Sequence, residues 1–586
     1  MTGTIDPGLA VARRRTGLLA LAFVLALGGL AYRIVGLGLD AGAPRTASIP
    51  ASIAPGVGRA DIVDRSGVLL ATDFPKPSIF ADPALISAPD LVADRLAFVL
   101  QLDAGVLRAR LNSDRRFVWI KRHVSEAERA TVVRLGIPGV QIRTEHHRVY
   151  PQGRLTSHLV GFVGIENQGL AGLERSFDQR LKTPARRGEP LRTTLDVRVQ
   201  GIVHEALERV YRRFQAKSAA AVVLEVPGGE LRALVSLPDY DPNRYLEAAP
   251  GARFNRASQG TYELGSLFKL FTAAMALDAG TVRLTDGFDA SEPFQIGRHR
   301  IGDFHAKLRW LSVPEVIAFS SNIGVARMAQ ALGVERQLGY FRRLGLLDPH
   351  PIRIPEVGRP QLPSPFRPIN SITAAYGHGI AASPLQVADA LAGVLCHGPW
   401  QRAHLVVEGR PAAVERPTPQ PTTSAMLRWL MWLTVEEGTG GHAAVPGYLV
   451  GGKTGSADKP GVGGYAGGGL ISSFIGAFPL EAPRFVVLVV LDQPTGTPET
   501  FGQAHGGWTA APAVAEIIRR IGPLYGVRPA RDEASAWFAD RLQRGEAFNG
   551  RLHELETSLD VVPGMPWTEP PGGEGSCVCT TCSATS

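Results

Sequence analysis

Cysteine is scarce in this chain: four among 586 residues, with Cys577, Cys579 and Cys582 crowded into the last ten. The remainder holds one thiol, Cys396, so no internal disulfide can staple the core and packing must hold it. A strong charge of one sign is also missing. Sixty-two Lys and Arg against 54 Asp and Glu leave +8, and no long basic run occurs apart from Arg13-Arg14-Arg15. Nucleic acid is therefore not an expected partner. No internal repeat is apparent. What is present is 45% hydrophobic residues over a length that admits several domains of roughly 100 to 200 residues, which excludes a wholly disordered or collagen-like chain.

One uncharged stretch bears on the compartment. Thr16 to Tyr32 reads TGLLALAFVLALGGLAY, and after Arg33 the apolar pattern resumes up to Leu39. With Arg33 snorkelling at the interface, Gly17 to Leu39 has about the 20 residues of a spanning helix. The rival is a cleavable signal peptide. Its best site is Ala41-Gly42-Ala43, but Pro44 follows the scissile position, and the apolar stretch exceeds the roughly 7 to 15 residues usual for a signal. The expectation is an uncleaved signal anchor over 16–39, with the three arginines keeping 1–15 in the cytoplasm and everything after Asp40 exported. Residues 40–57, small and Pro-containing, read as a linker.

A mixed region follows over 58–215. Near its end, LRTTLDVRVQGIVHEALERVYRRF predicts a strand and then an amphipathic helix with Val199, Ile202, Val203, Ala206, Leu207 and Val210 on one side. Over 216–525, AAAVVLEV and ELRALVSL flank Pro227-Gly228-Gly229 as a hairpin, and SFIGAFP with RFVVLVVLD makes a second. The chain between these hairpins reads as helical. Strands at both ends of a helical block predict an α+β domain with one shared antiparallel sheet. Residues 526–586 are polar, ending in PWTEPPGGEGSCVCTTCSATS, and read as a flexible tail.

Three short motifs could carry chemistry. In TYELGSLFKLFTAAMALDAG, Ser266 opens a helical pattern and Lys269 follows one turn later on the same face. A serine hydroxyl needs a base to become nucleophilic, an amine of lowered pKa can serve, and helix-terminal N–H groups can meet a developing oxyanion. In LSVPEVIAFSSNIGVARMAQALG, Ser312 and Glu315 form a capping box, with Ser320-Ser321-Asn322 between that helix and the next. In VGGKTGSA, Lys453, Thr454, Gly455 and Ser456 enter the terminal strands, where glycine admits another chain close by. Each motif alone has a bland reading: a cap, a helix break, a surface lysine. In the order S-x-x-K, S-x-N, K-T-G they match the active-serine penicillin-recognising enzymes.

The resemblance extends further. GRADIVDRSGVLLA from Gly58 and HRVYPQGRLTSHLVGFVGIENQGLAGLE from His147 resemble the pedestal of the class B penicillin-binding proteins, and SLPDYDPN, FNRASQGTYELGSLFK, GHGIAASPLQ and EEGTGGHAAVPGY continue the likeness from about residue 13 to 520. Ser-Ser-Asn followed by Ile-Gly-Val, with GFVGIENQGLAGLE, is most similar to the division enzymes of the FtsI type. The departures are Ala60 for a usual glycine, Leu264 for proline, Leu267 for threonine, and Ser456 for the threonine after K-T-G.

The resemblance implies a transmembrane helix, an elongated α/β pedestal and a transpeptidase domain whose sheet is flanked by helices. It implies D,D-transpeptidation of septal peptidoglycan stem peptides through an acyl-serine, open to β-lactams. Ser266 would be the nucleophile, Lys269 its base, Ser320 a proton relay and Asn322 a substrate hydrogen-bonding group. Lys453 with Thr454 would receive a carboxylate, Gly455 would admit the neighbouring chain, and the Ser456 N–H would serve the oxyanion. No metal or organic cofactor is implied. The implied location is a bacterial inner membrane at the septum, single-pass, with the catalytic domain in the periplasm and with an FtsW-type glycan polymerase and other division proteins as partners.

The alternatives are an elongation-type enzyme of the same class and a non-catalytic division scaffold. A β-lactamase, a carboxypeptidase or a bifunctional class A synthase would lack the pedestal motifs, and no deacylating E-x-x-L-N run occurs. His146-His147 with His158 is not expected to bind metal, since adjacent residues cannot share a helix face and no carboxylate completes the spacing. Cys577, Cys579 and Cys582 lack a fourth ligand for a closed zinc site.

Overall fold

The computed structural model describes residues 17–18, 20–33, 58–226, 228–396, 399–409, 419–459 and 469–529. The chain forms two compact units, Met1–Gly56 and Val57–Ser586. In the first, residues 17–18 and 20–33 are helical with exposed side chains. The remainder of the expected anchor, the residues before it and the linker lie outside the described residues, as do residues 530–586 with their three cysteines. Among the described residues no helix is long and apolar enough to cross a membrane, so the expected span is not seen as such.

The second unit begins with a sheet built around the long strand Leu69–Ala81, which pairs antiparallel with Val140–Val149 from Thr72 opposite Val149 to Ala81 opposite Val140. Val118–Lys121 and Ile62–Val63 also pair antiparallel with it, and Leu191–Arg192 joins Ile62–Val63 in parallel. The helices Pro89–Leu100, Ala104–Leu111 and Glu126–Leu135 close a small apolar core with Ile79, Leu96, Leu100, Leu107 and Val132.

Beside that sheet lies a buried ion network. Arg59 Nε donates to Glu174 Oε2 at 2.7 Å and Arg148 Nε to Glu174 Oε1 at 2.6 Å. Arg59 Nη1 reaches Asp178 at 2.6 Å and Arg148 Nη1 reaches Asp73 at 3.0 Å. Arg59, Arg148 and Glu174 come from GRAD, HRVYP and GLE, three stretches separated in sequence, so one carboxylate shared by two guanidiniums ties the pedestal together. Burial of such charges is tolerable only because each is paired and hydrogen-bonded.

The second sheet runs Gly451–Asp458, Leu470–Phe478, Phe485–Asp492, Ser218–Glu225, Leu231–Leu237, all neighbours antiparallel. The two expected hairpins therefore share one sheet, joined where Phe485–Asp492 pairs with Ser218–Glu225. Both faces are covered, which is why these strands read as near-continuous apolar runs. One face packs on the helices Val197–Arg213 and Ala510–Leu524 through Val199, Val203, Leu207, Ile517 and Ile521 against Val223, Val235 and Val487. The first of these helices, which the sequence attaches to the pedestal, shares its buried stripe with the sheet. The other face carries the helical block, including Phe268–Asp278, Pro384–Leu395 and Pro421–Glu436.

Replacing Glu174 by Ala leaves two buried guanidiniums without their common carboxylate, and is expected to cost about 3–5 kcal/mol of stability. Thermal denaturation checks this; an unchanged melting temperature would show that the network is dispensable.

Candidate functional site

Ser266 lies in the single 3-10 turn Gly265–Leu267, immediately before the helix Phe268–Asp278, rather than in the helix itself. Gly265 has φ +54°, a conformation that favours glycine, and a Cβ there would stand 2.7 Å from the carbonyl of Ser456. A Cβ on Gly455 would meet Ser473 Oγ at 2.3 Å and the Leu264 carbonyl at 2.5 Å. Glycines on both sides thus let the serine turn seat directly on the strand Gly451–Asp458. Ser266 remains half-buried, so the residue is not sealed from solvent.

Lys269 is fully buried on that helix, flanked by buried Phe268 and Phe271. Its Nζ donates to the Ser320 carbonyl at 2.5 Å and to Ser320 Oγ at 3.1 Å, so the amine is held on Ser320 rather than on Ser266. Ser320 follows the helix Val313–Ala318, which starts at the Ser312–Glu315 capping box as the sequence indicates, and it adopts φ +60°. That left-handed conformation is uncommon for a non-glycine residue, and here it brings both oxygens of Ser320 to the lysine. Burial drives the Lys269 pKa well below its ordinary value; the positive charge of Lys453 pushes in the same direction, and the Asp303 carboxylate opposes it.

Lys453 is also fully buried, and burial brings its pKa down to about 7. Its Nζ donates to the carbonyl and Oγ1 of Thr454, both at 3.3 Å, and Thr454 Oγ1 shares a hydrogen bond of 2.7 Å with Thr439 Oγ1. Ser456 Oγ accepts from the Gly506 N–H at 3.3 Å. Asn322 opens the helix Asn322–Leu332, with its Nδ2 donating to the Gly302 carbonyl at 3.0 Å.

The three motifs, distant in sequence, therefore meet: the serine turn on the K-T-G strand, Lys269 on Ser320, and the two lysines within each other's field. The arrangement offers an accessible hydroxyl, an amine biased toward its neutral form, a second amine near its midpoint at neutral pH, and backbone N–H groups at a helix start. That is equipment for acyl transfer to serine. Asp303, Thr439 and Gly506 were not singled out from the sequence. Thr439 sits inside the EEGTGG stretch, which offered a faint signal, whereas Asp303 belongs to no motif.

The three histidines considered for a metal lie elsewhere. His146 and His147 are on the pedestal strand Val140–Val149, and His158 Nε2 bonds the Ala252 carbonyl at 2.8 Å, with burial pushing its pKa down to about 4. Among the described residues no group of three His, Cys, Asp or Glu side chains is placed to hold a metal ion. Cys396 is buried, with Sγ 3.6 Å from the Pro399 carbonyl.

Comparison with known proteins bears on this geometry. Residues 219–519 match the penicillin binding protein transpeptidase domain, and residues 55–189 the penicillin-binding protein dimerisation domain. The chain is 37% identical over 484 residues to the probable peptidoglycan D,D-transpeptidase FtsI of Caulobacter vibrioides, covering 80% of this chain and 82% of that protein. It is 28% identical over 502 residues to the peptidoglycan D,D-transpeptidase FtsI of Escherichia coli K12, covering 80% and 84%. The crystal structure of a peptidoglycan synthetase from Bifidobacterium adolescentis shares the fold at 21% identity, with a TM-score of 0.64 over 81% of this chain and 97% of that one.

Gly455→Ala is expected to push the serine turn off the strand, because the nearest atoms include the backbone carbonyl of Leu264. Labelling of Ser266 by a serine-acylating reagent should fall by roughly tenfold or more, as expected when oxyanion donors are displaced, without loss of circular dichroism. Unchanged labelling would show that the close approach is not needed.

Proposed function

The chain belongs to the class B penicillin-binding proteins, and from that premise we propose that it cross-links septal peptidoglycan as a serine D,D-transpeptidase. The observation that carries the reading is a wholly buried lysine, biased toward the neutral amine, held on Ser320 one turn from an accessible serine. Relatives named FtsI support the septal role over an elongation role, and the intact motif residues favour an enzyme over a scaffold.

In the proposed reaction, Ser266 Oγ attacks the carbonyl of the penultimate D-Ala of a stem peptide, and Lys269 takes its proton. The oxyanion is met by the N–H groups of Ser266 and Ser456. The C–N bond then breaks, and the terminal D-Ala leaves as an amine that receives the proton by way of Ser320. An amine on a neighbouring stem attacks the ester, forms the cross-link and returns a proton to Ser266. Lys453 and Thr454 hold the substrate carboxylate, whose charge favours the protonated form of Lys453. Asn322 hydrogen-bonds the substrate backbone, and Gly455 keeps the serine turn close against the strand. A β-lactam would stop at the ester.

The proposed organisation is a cytoplasmic 1–15, an anchor over 16–39, a linker, a pedestal over 58–215 and a transpeptidase domain over 216–525. Exposed Leu18, Leu21, Phe23, Val24, Leu25, Leu27 and Leu30 on one helix support a membrane anchor. Through it and the pedestal the protein would sit at the septum of the inner membrane with an FtsW-type polymerase and other division proteins. Septal rather than lateral localisation of a tagged protein tests this part.

Penicillin is expected to acylate Ser266 with a long-lived adduct, read by intact-protein mass spectrometry and peptide mapping. An adduct elsewhere, or turnover within about a second, would overturn the transpeptidase reading. Lys269→Arg keeps a positive charge but cannot accept a proton, so acylation should fall nearly as far as in Ser266→Ala, whereas Lys453→Arg should retain some.

The pH profile carries the sign. Acylation needs neutral Lys269, and the folded pKa is lowered, so the rate should reach its plateau well below the ordinary lysine range. A rise of about tenfold per unit up to about pH 10 would mean that the base has the ordinary lysine pKa.

A further inference from the structure

We propose that Asp303 is the positioning residue of the site, holding the Ser320-Ser321-Asn322 corner in its working geometry through one carboxylate. Asp303 lies between the short strands His299–Ile301 and Trp310–Ser312, outside all three motifs. Its Oδ1 accepts from the Asn322 N–H at 2.5 Å and the Ile323 N–H at 3.0 Å, and its Oδ2 accepts from Ser321 Oγ at 2.7 Å. Ser321 Oγ in turn accepts from the Gly324 N–H at 3.0 Å. Three orphan donors at the start of Asn322–Leu332 are thus satisfied, two of them by a side chain 19 and 20 residues upstream. The next residue back, Gly302, receives the Asn322 side chain through its carbonyl at 3.0 Å.

The consequence lies one residue before this cap. Ser320 holds φ +60° and presents both its oxygens to Lys269, a conformation that persists only while its surroundings enforce it. Ser321 and Asn322, pinned by Asp303, are the fixed end of that corner. The negative charge at the dipole-positive end of the helix strengthens the anchor. The same charge also reaches Lys269. The groups facing that amine are Lys453 from the sheet, His378 from the segment after the helix Pro368–Ala375, and Asp303, and Asp303 is the carboxylate that favours its protonated form. Asp303 therefore shapes the corner and restrains how far the base is depressed, two effects that one pair of variants separates.

The inference rests on the acyl-serine reading, so the test carries its own control. Penicillin acylation rates are measured against pH for the full chain, Asp303→Ala, Asp303→Asn and Ser266→Ala, with circular dichroism. Asparagine keeps an oxygen for the two N–H groups and removes the charge. It should acylate more slowly by only a few-fold at neutral pH, with its acid limb moved to lower pH by about half a unit. Alanine removes the anchor as well and should lose roughly tenfold or more. If the parent is not acylated, or Ser266→Ala still is, the transpeptidase reading fails. Should the parent be acylated at Ser266 while the Asp303→Asn profile overlays it or moves to higher pH, the positioning role is wrong. A folded Asp303→Ala at the parental rate would also overturn it. If alanine does not fold, the asparagine profile alone decides.

Discussion

A lysine ammonium with no solvent and no carboxylate in contact is the constraint on which the site depends. Taking such a charge out of water costs several kcal/mol, and shedding the proton is the cheaper course. In the proposed reaction Lys269 is the group that uses this. Phe268 and Phe271 exclude water, Lys453 adds a like charge, and two oxygens of Ser320 accept from the amine without supplying a full negative charge. A carboxylate in direct contact would pair the ammonium and hold it protonated. The nearby Asp303 instead spends its lone pairs on the helix start and acts on the amine only through its field.

The pedestal solves the opposite problem with the same ingredients. Arg59 and Arg148 are as buried as the lysines, yet each reaches Glu174 and a second carboxylate, Asp178 or Asp73. Guanidinium does not deprotonate, so a buried arginine must be paired. Paired buried charge here joins segments and stays charged, whereas the unpaired buried lysine is available to change protonation state. The chain uses arginine where it needs a tie and lysine where it needs a titrating group.

Close backbone approach completes the site. Seating the serine turn on the K-T-G strand requires side chains to be absent at Gly265 and Gly455, and the strand's other edge is fixed by its full register with Leu470–Phe478. The apolar helix Phe268–Asp278 then has little choice of orientation, because the sheet and the helix Pro421–Glu436 cover it. Rigid packing converts a sequence spacing of three residues into a fixed relation between a hydroxyl and an amine.

Local physical chemistry made much of this legible from the chain alone. Continuous apolar runs around the turns at Pro227-Gly228-Gly229 and Leu480 specify hairpins, a 3.6-residue stripe specifies Val197–Arg213, the Ser312–Glu315 box specifies a helix start, and the order of three motifs specifies the chemistry. Those features depend on neighbours a few residues away, which is why they can be read in order. Tertiary structure alone decided the rest: that Val197–Arg213 packs on the sheet, that Lys269 turns to Ser320 across 51 residues of sequence, that Ser320 takes a left-handed conformation, and that Asp303 caps a helix it does not belong to. Each of these is a contact between segments whose separation carries no periodic signal, and its energy exists only once the intervening chain has folded and excluded water.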